Sequence, residues 1–434
     1  MPAKAYNDLV LSGRGLFGPW VILSDPAGVR RVLVENAANY PKTDFDLRFF
    51  SALFGGGLLG SGGEVWRRHR RIMAPAFDPR SVAAYGPAME RATAEFLTQW
   101  KALGDGATVD MAEEMRRLTL RVITGAVFSV DSDEIMDLVS GALSRGLHHA
   151  ARANVLDLIP GLSELRMRAR EKRLARESTP LDQAVAKLIA DREANLANAP
   201  PDLLTRLVQA RDDGGGAGLT AKEIRDEIVT IFMAGHETTA GALSWTWYLL
   251  AQRPDAAARM HAELDTMLTG KTPAYGDLSR LTFTRQIIEE SLRLYPTAPG
   301  LSTRRALAKD VVSGREIPKG ARVHMFPWVL HRHRQLWQNP EAFDPTRFSA
   351  DRSTDRPRFA YLPFGAGPRV CIGQVLALNE VILILASLAQ HFEPRLASDA
   401  KVVAKANITL QFGEGLRMTL NRRASHPSPQ GTNP

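Results

Sequence analysis

Apolar residues recur at helical spacing through the middle of the chain. From Val65 to about Leu294 the spacing has a period near 3.6, as in AYGPAMERATAEFLTQW and PDAAARMHAELDTML, and it predicts successive amphipathic helices. Strand patterns are short: WVILS near the start, then Arg315–Val323 and Ile408–Leu420. After WVILS, Asp25-Pro26 supplies an N-cap and a first-turn proline for a helix. The predicted fold class is mainly α with small β-sheets.

The longest apolar segment is predicted to be one helix. Thr220–Glu223 has the residues of a capping box, and the helix that it opens can continue to Arg253-Pro254. Between Ile228 and Ala251 the only Asp, Glu, Lys, Arg or His residues are the His and Glu of AGHETT, Ala234–Thr239. Because a glutamate at the centre of a bilayer is costly, we predict a helix inside a large protein and no membrane span. AGHETT is then a polar island within that helix.

Composition is that of a globular protein with a basic surplus. Apolar residues make up 44% of the 434, charged residues 24%, and the net charge is +8. The arginines are scattered and no zinc-finger or basic-arm motif is present, so we expect no nucleic acid as partner but a basic patch for an acidic protein. No signal-peptide pattern begins the chain, and a cytoplasmic location is expected. We predict one domain over residues 1–424, a surface loop at DDGGGAG and a disordered tail at 425–434.

The chain contains one cysteine, Cys371, within FGAGPRVCIG. A single cysteine excludes an internal disulfide and multi-cysteine metal sites. The following sequence is strongly helical, so Cys371 is expected at a helix N-terminus, where a thiolate is favoured. Three roles remain open from the residues alone: a buried structural cysteine, the commonest fate of a lone one; a nucleophile, which needs a positioned histidine; and a proximal haem ligand.

The segment FGAGPRVCIG resembles the haem-binding loop of the cytochrome P450 monooxygenases, whose pattern is F-x-x-G-x-R-x-C-x-G. Other landmarks of that family follow in this sequence: W-x-x-x-R at Trp66–Arg70, A-G-x-E-T-T at Ala234–Thr239, E-x-x-R at Glu290–Arg293 and F-x-P-x-R-F at Phe343–Phe348. The resemblance implies the cytochrome P450 fold, an α-rich core around a buried haem with a smaller β-rich part. It also implies a haem b whose iron binds the Cys371 thiolate.

By the same resemblance, each motif residue has an expected role. The predicted haem-binding residues are Trp66, Arg70, Ala234, Gly235, Arg305, Phe364, Gly367, Arg369 and Gly373, and Arg304 replaces Arg305 if the strand register shifts by one. Glu237 and Thr238 resemble the acid–alcohol pair that delivers protons to dioxygen, with Ala234 and Gly235 leaving room for it, while Thr239 is expected to bond its own helix. Glu290, Arg293 and Arg347 resemble a structural triad. Here PTRF replaces the common PERF, which keeps the arginine and loses a carboxylate.

The implied reaction is the insertion of one oxygen atom of dioxygen into a lipophilic substrate, by hydroxylation or epoxidation. Apolar residues are expected to line the pocket: Phe49, Phe50, Leu53, Phe54, Leu58, Leu59, Phe232, Met233, Ala298 and Leu301. Since the chain ends soon after its last strand, electrons are expected from a separate ferredoxin or flavodoxin-type protein with an NAD(P)H reductase. Family members normally have a further segment before the first strand. The alternatives are peroxide-driven or isomerase chemistry on the same fold, and a non-catalytic thiolate-haem sensor.

Overall fold

A computed structural model describes residues 1–130, 137–138, 141, 162–210 and 218–423. The predicted loop DDGGGAG lies almost entirely outside these residues and the predicted tail entirely so, and the single-domain boundary stays a prediction. The α-helices in the described ranges are α1 Pro26–Arg30, α2 Asp44–Phe54, α3 Gly63–Met73, α4 Pro79–Ala84, α5 Gly86–Ala102, α6 Met111–Phe128, α7 Leu162–Ala194, α8 Leu203–Gln209, α9 Ala221–Gln252, α10 Pro254–Leu268, α11 Thr282–Leu294, α12 Pro327–Leu330, α13 Ala350–Ser353 and α14 Gln374–Ala389.

The strands are short and form small separate sheets. They are β1 Val10–Gly15, β2 Gly18–Leu23, β3 Ala107–Asp110, β4 Arg304–Arg305, β5 Asp310–Val312, β6 Arg315–Ile317, β7 Arg322–His324, β8 Arg395–Leu396, β9 Ala404–Ala406, β10 Leu410–Phe412 and β11 Arg417–Leu420. The largest sheet has the order β1-β2-β7-β4, with β2 parallel to β7 and the other pairs antiparallel. β5 pairs with β6, β9 with β10, and β3-β11-β8 make a sheet of three strands. The helical majority with small sheets confirms the predicted fold class.

The central element is α9, which begins with the predicted capping box. The Thr220 hydroxyl accepts from Glu223 N–H at 3.2 Å, and the Glu223 carboxylate accepts from Thr220 N–H at 2.9 Å. α9 ends at Gln252, before Pro254 of the next helix. It packs against α6, α11 and α14, and most of its side chains are buried. An element that is apolar on nearly every side therefore forms the middle of the core.

A second, smaller core lies under the largest sheet. It contains Val21 and Leu23 of β2, Val323 of β7, and Tyr40. The N-terminal strand β1 pairs along its whole length with β2. Sequence reasoning missed β1 because VLSGRG has no run of β-formers. The helix expected to follow Asp25 is present, although its α-helical part ends at Arg30 and one π-helical turn continues it.

Candidate functional site

Cys371 lies in a tight loop that its own backbone closes. The Cys371 N–H donates to Phe364 O at 2.9 Å. Gly367 has a φ of 72°, and a Cβ there would lie 1.8 Å from the carbonyl oxygen of Leu33, so only glycine fits. α14 begins at Gln374, three residues after Cys371, as the sequence predicted. The positive end of a helix therefore lies beside the sulfur.

The Cys371 side chain is accessible, although protein atoms lie close around it. We call the accessible space beside its sulfur the Cys371 recess. Burial raises the pKa of its thiol, and the N–H of Gly373 and the charge of Arg70 both oppose that rise. Arg70 lies on α3, and burial lowers the pKa of its guanidinium while Cys371 raises it. The structure therefore brings Cys371, Gly373 and Arg70 together, and a cation close to the sulfur is what stabilises a thiolate.

Arg369 and Trp66 meet beside this recess. The Arg369 guanidinium stacks on the Trp66 ring, 4.3 Å from its centroid, and donates to Ser61 O at 3.0 Å. Burial, then the charges of Arg304 and Arg70, lower the pKa of Arg369 to about 10. Buried positive charges that lower one another's pKa favour the binding of an anion between them.

Lys42 and Arg304 complete this cation cluster, which we define as Lys42, Arg70, Arg304 and Arg369. Lys42 is 9% exposed and its ammonium donates to Leu59 O at 3.0 Å. Burial, then Arg369 and Arg304, lower its pKa to about 7. Arg304 is also 9% exposed, and its Nε has no hydrogen-bond partner among the described residues. A buried, unpartnered guanidinium nitrogen requires an acceptor.

The structure does not place Arg305 in the cation cluster. On the short strand β4, which pairs with β7, Arg304 is buried and Arg305 is exposed. The Arg305 guanidinium lies 3.9 Å from Asp44 at the surface. Neighbouring residues of a strand point to opposite faces, so a one-residue difference in register decides which arginine turns inward. The expectation for Arg305 is therefore corrected in favour of its neighbour Arg304.

The AGHETT residues of α9 point in different directions. A Cβ on Gly235 would lie 3.0 Å from Cδ1 of Ile123, so this glycine allows close packing against α6, and its expected role of leaving room for a small molecule stays a prediction. The Thr238 hydroxyl donates to Ala234 O at 2.5 Å. The Thr239 hydroxyl is buried without a partner among the described residues. The expected back-bond of Thr239 is thus made by Thr238 instead.

Glu237 of the same motif is buried and held by a strand. It is 8% exposed, and its Oε1 accepts from Gln411 Nε2 of β10 at 2.8 Å. Its neighbour His236 is a core histidine: burial and then Arg116 lower its pKa to about 3, and its carbonyl accepts from the Thr119 hydroxyl at 3.1 Å. Sequence reasoning missed Gln411, because a single glutamine in a strand pattern carries no motif.

Glu290, Arg293 and Arg347 come together as one buried group. Arg293 donates from Nε and Nη2 to the two oxygens of Glu290 at 2.6 and 2.8 Å. Nε of Arg347 lies 3.3 Å from Oε1 of Glu290. The backbone N–H of Asp344 donates to the same Glu290 oxygen at 2.8 Å. Arg293 also donates to the carbonyl of His331 at 2.9 Å. These contacts tie α11 to the segment before the cysteine loop, which is a structural role.

A group on α3 and α9 holds the glycine-rich loop 55–61; we call His69, Asp226 and Glu227 the loop anchor. Nδ1 of His69 lies 2.6 Å from Glu227 Oε1, and both side chains are fully buried. Leu58 N–H donates to Glu227 at 3.2 Å, and Gly56 N–H donates to Asp226 at 2.7 Å. The loop carries Leu59 and Ser61, whose carbonyls accept from Lys42 and Arg369. The loop anchor therefore also supports the cation cluster.

The residues expected to line an apolar pocket differ in how deeply they are buried. Phe232 is 1% exposed and packs on Phe128, with ring centroids 4.4 Å apart, so it belongs to the core. Phe49 and Phe50 of α2 are half-buried and make an edge contact at 5.4 Å. Five more of the expected residues are also half-buried, namely Leu53, Leu59, Met233, Ala298 and Leu301, while Phe54 and Leu58 are buried.

None of the helices in the described ranges has the length and apolarity that crossing a membrane requires. The family model described as Cytochrome P450 matches residues 8–412. Cyclooctatin synthase from Streptomyces melanosporofaciens is 35% identical over 418 residues, covering 95% of this chain and 88% of that protein. Cyclooctat-9-en-7-ol 5-monooxygenase from the same organism is 36% identical, covering 79% and 73%. The crystal structure of a cytochrome P450DA heme domain superposes with a TM-score of 0.84 at 26% identity, covering 96% of this chain and 90% of that one.

Proposed function

The chain belongs to the cytochrome P450 family, and from that premise we propose that it inserts one oxygen atom of dioxygen into a lipophilic organic substrate by hydroxylation or epoxidation. Membership makes it a monooxygenase with a haem held by a cysteine thiolate. Cys371 is the only cysteine of the chain. The observation that carries the proposal is the buried cation cluster beside the Cys371 recess.

The residues around Cys371 fit a haem. Its two propionates are anions, and the cation cluster offers buried donors, among them the unpartnered Arg304 Nε. We propose Arg70, Arg304 and Arg369, with Lys42, as the propionate partners, and Trp66 as the ring that fixes Arg369. Phe364, Gly367 and Gly373 shape the loop that presents the sulfur. A thiolate-bound haem supplies the electron density that favours cleavage of the O–O bond.

On α9, Glu237 and Thr238 are the proposed proton-handling pair. The Thr238 hydroxyl lies one turn above Ala234 and would exchange its bond to Ala234 O for dioxygen. The Glu237 carboxylate, buried and fixed by Gln411, would hold and pass protons. A buried carboxylate next to a hydroxyl favours reductive use of dioxygen over peroxide-driven or isomerase chemistry, and over a sensor that turns nothing over.

The proposed substrate is lipophilic, and the electron donor a separate acidic protein. The half-buried apolar residues of α2, α9 and the segment after α11 support the first point. One relative is named for the oxidation of cyclooctat-9-en-7-ol, and we extend that substrate class, a largely hydrocarbon alcohol, to this chain. The net charge of +8 and the exposed Arg67 and Arg71 of α3 support docking of a ferredoxin or flavodoxin with its NAD(P)H reductase.

The spectrum of the reduced, CO-bound protein tests the haem assignment. A strongly red-shifted Soret band is expected for the parent and its loss is expected for Cys371→Ser, while a folded parent preparation without haem would refute the proposal. Turnover tests the reaction. Oxidation of a lipophilic substrate that depends on a ferredoxin, its reductase and NADPH is expected, whereas oxidation by added hydrogen peroxide alone would favour the peroxide-driven alternative.

A further inference from the structure

We propose that Gln411 is a positioning residue that fixes the carboxylate of Glu237 for proton transfer. The inference rests on the proposed function, because it assigns Gln411 a role through Glu237. It adds a residue of β10, 174 positions away along the chain, to the machinery on α9.

The contacts form a directed chain of three side chains. Asn407 Nδ2 donates to Gln411 Oε1 at 2.9 Å, and Gln411 Nε2 donates to Glu237 Oε1 at 2.8 Å. Both ends of the Gln411 amide are therefore engaged, and the orientation in which nitrogen faces Glu237 satisfies all three groups. Among the described residues, Gln411 is the hydrogen-bond partner of the Glu237 carboxylate.

β10 is itself attached to the helix that carries Glu237. Trp245 lies eight residues after Glu237 on α9, and its Nε1 donates to Leu410 O at 3.2 Å. The ring of Phe412 stacks on Trp245 with centroids 3.8 Å apart. The two neighbours of Gln411 are thus fixed to α9, and Leu410 N–H also donates to Thr297 O at 2.9 Å. Gln411 is presented to Glu237 by a strand with little freedom to move.

This geometry has a chemical consequence for Glu237. A glutamine amide does not titrate, so Gln411 cannot pass a proton by losing one. Its N–H instead occupies Oε1 and leaves Oε2 as the oxygen that can accept and release a proton. Without this partner, no hydrogen bond from β10 would fix the side-chain torsions of Glu237. Gln411 therefore sets the direction of proton transfer.

The test compares Gln411→Leu, Glu237→Gln and the double variant. Each is loaded with haem and reduced by a plant ferredoxin, its reductase and NADPH, without organic substrate. The readout is the ratio of NADPH to dioxygen consumed, because release of hydrogen peroxide takes two electrons per dioxygen and full reduction to water takes four. Lys405 is paired with Gln411 across the β9-β10 ladder and is exposed, so Lys405→Leu is the matched control.

If Gln411 acts through Glu237, Gln411→Leu and Glu237→Gln each raise the peroxide fraction by at least about twofold, and the double variant is no worse than Glu237→Gln alone. Lys405→Leu behaves as the parent, and Gln411→Lys, which restores a donor, recovers most of the parent ratio. An effect of Glu237→Gln without one of Gln411→Leu refutes the inference. If Glu237→Gln itself changes nothing, the proposed role of Glu237 fails instead. Additive effects in the double variant also refute action through Glu237.

A second readout does not depend on turnover. Infrared difference spectra between each protein and its Glu237→Gln counterpart isolate the carboxyl band of Glu237. In Gln411→Leu the frequency of that band should shift from its value in the parent, since Oε1 has lost its hydrogen-bond donor. A purely structural role for Gln411 would lower the unfolding temperature and leave that band and the solvent isotope effect on dioxygen consumption unchanged.

Discussion

Replacing His69 with phenylalanine tests how the glycine-rich loop 55–61 is held over α9. Phenylalanine fills much of the imidazole volume but offers no donor. The Glu227 carboxylate, fully buried and 2.6 Å from Nδ1 of His69, would keep only the N–H of Leu58. Removing one partner of a buried ionic pair leaves an uncompensated charge and costs about 3–5 kcal/mol.

That cost converts into a modest shift of the unfolding temperature because the protein is large. An unfolding entropy of about 2.1 cal/mol/K per residue over 434 residues gives roughly 0.9 kcal/mol/K, so the expected loss is about 3–5 °C. Loop 55–61 should also become a site of early proteolytic cleavage, since the cost falls on the contacts that hold it.

The same substitution should remove one contribution to the pH dependence of stability. Burial disfavours the imidazolium of His69, but hydrogen bonds and charges from Glu227 and Glu223 outweigh burial and raise its pKa. A raised histidine pKa contributes stability that is complete below the ordinary value of 6.5 and is lost as pH rises through the folded-state value. Arg68, whose Nη2 lies 3.3 Å from His69, and Asp226 are the other charged groups of the cluster.

Differential scanning calorimetry between pH 5.5 and 8.5 checks both effects. The unfolding temperature of the parent should fall as pH rises through the folded-state pKa of His69, and the pKa of Glu227, which burial raises, adds to that fall. Arg67→Ala is the control on the same helix, since the Arg67–Glu64 pair is exposed and is expected to contribute little. A temperature loss below about 1 °C at pH 7, or a parent whose unfolding temperature rises with pH over this range, would refute the reasoning.

Three further predictions concern buried charges. Lys42→Met should speed haem transfer to apomyoglobin by roughly 10–100-fold, as expected for the loss of a charge-assisted hydrogen bond. In the parent, haem affinity should fall as pH rises above about 7, because the pKa of Lys42 without a bound anion is about 7. Lys42→Met should abolish that fall. Arg304→Ala should speed the same transfer, whereas Arg305→Ala should not; equal effects would contradict the observed strand register. Glu380→Gln should raise the unfolding temperature at pH 7 by roughly 3 °C and by less at pH 5, since burial raises the pKa of Glu380 well above 4.5 and stability falls as pH rises above that ordinary value; calorimetry checks it.

The sequence predicted the elements whose local pattern is strong. The capping box at Thr220, the long apolar helix and the helix after Cys371 all lie where spacing placed them, because local hydrogen bonds and one-sided burial determine such helices. Where a motif has charged residues three apart on a helix, as in Glu290 and Arg293, their contact was also predictable.

The supporting residues could not be predicted because their partners are distant and their residue types are common. Lys42 reaches the cation cluster from before α2, and Asp226 contacts a loop 170 residues earlier. No local pattern distinguishes Lys42 from an exposed lysine, and only the closure of the fold buries it. Arg304 and Arg305 show the same limit on a smaller scale, since a two-residue strand has no alternation from which to read its register.

The AGHETT segment shows where helical geometry could have gone further than motif matching. Residues four apart share a face of a helix, so Ala234 and Thr238 form one face, on which the Thr238 hydroxyl meets Ala234 O. By the same spacing Gly235 and Thr239 share another face, on which Gly235 packs against Ile123 of α6. Glu237 turns to a third direction, toward Gln411. A contiguous motif on a helix is therefore not one site: Gly235 packs against α6, the hydroxyl proposed for oxygen chemistry lies on another face, and the carboxylate proposed for proton supply is bonded by a residue of a strand elsewhere.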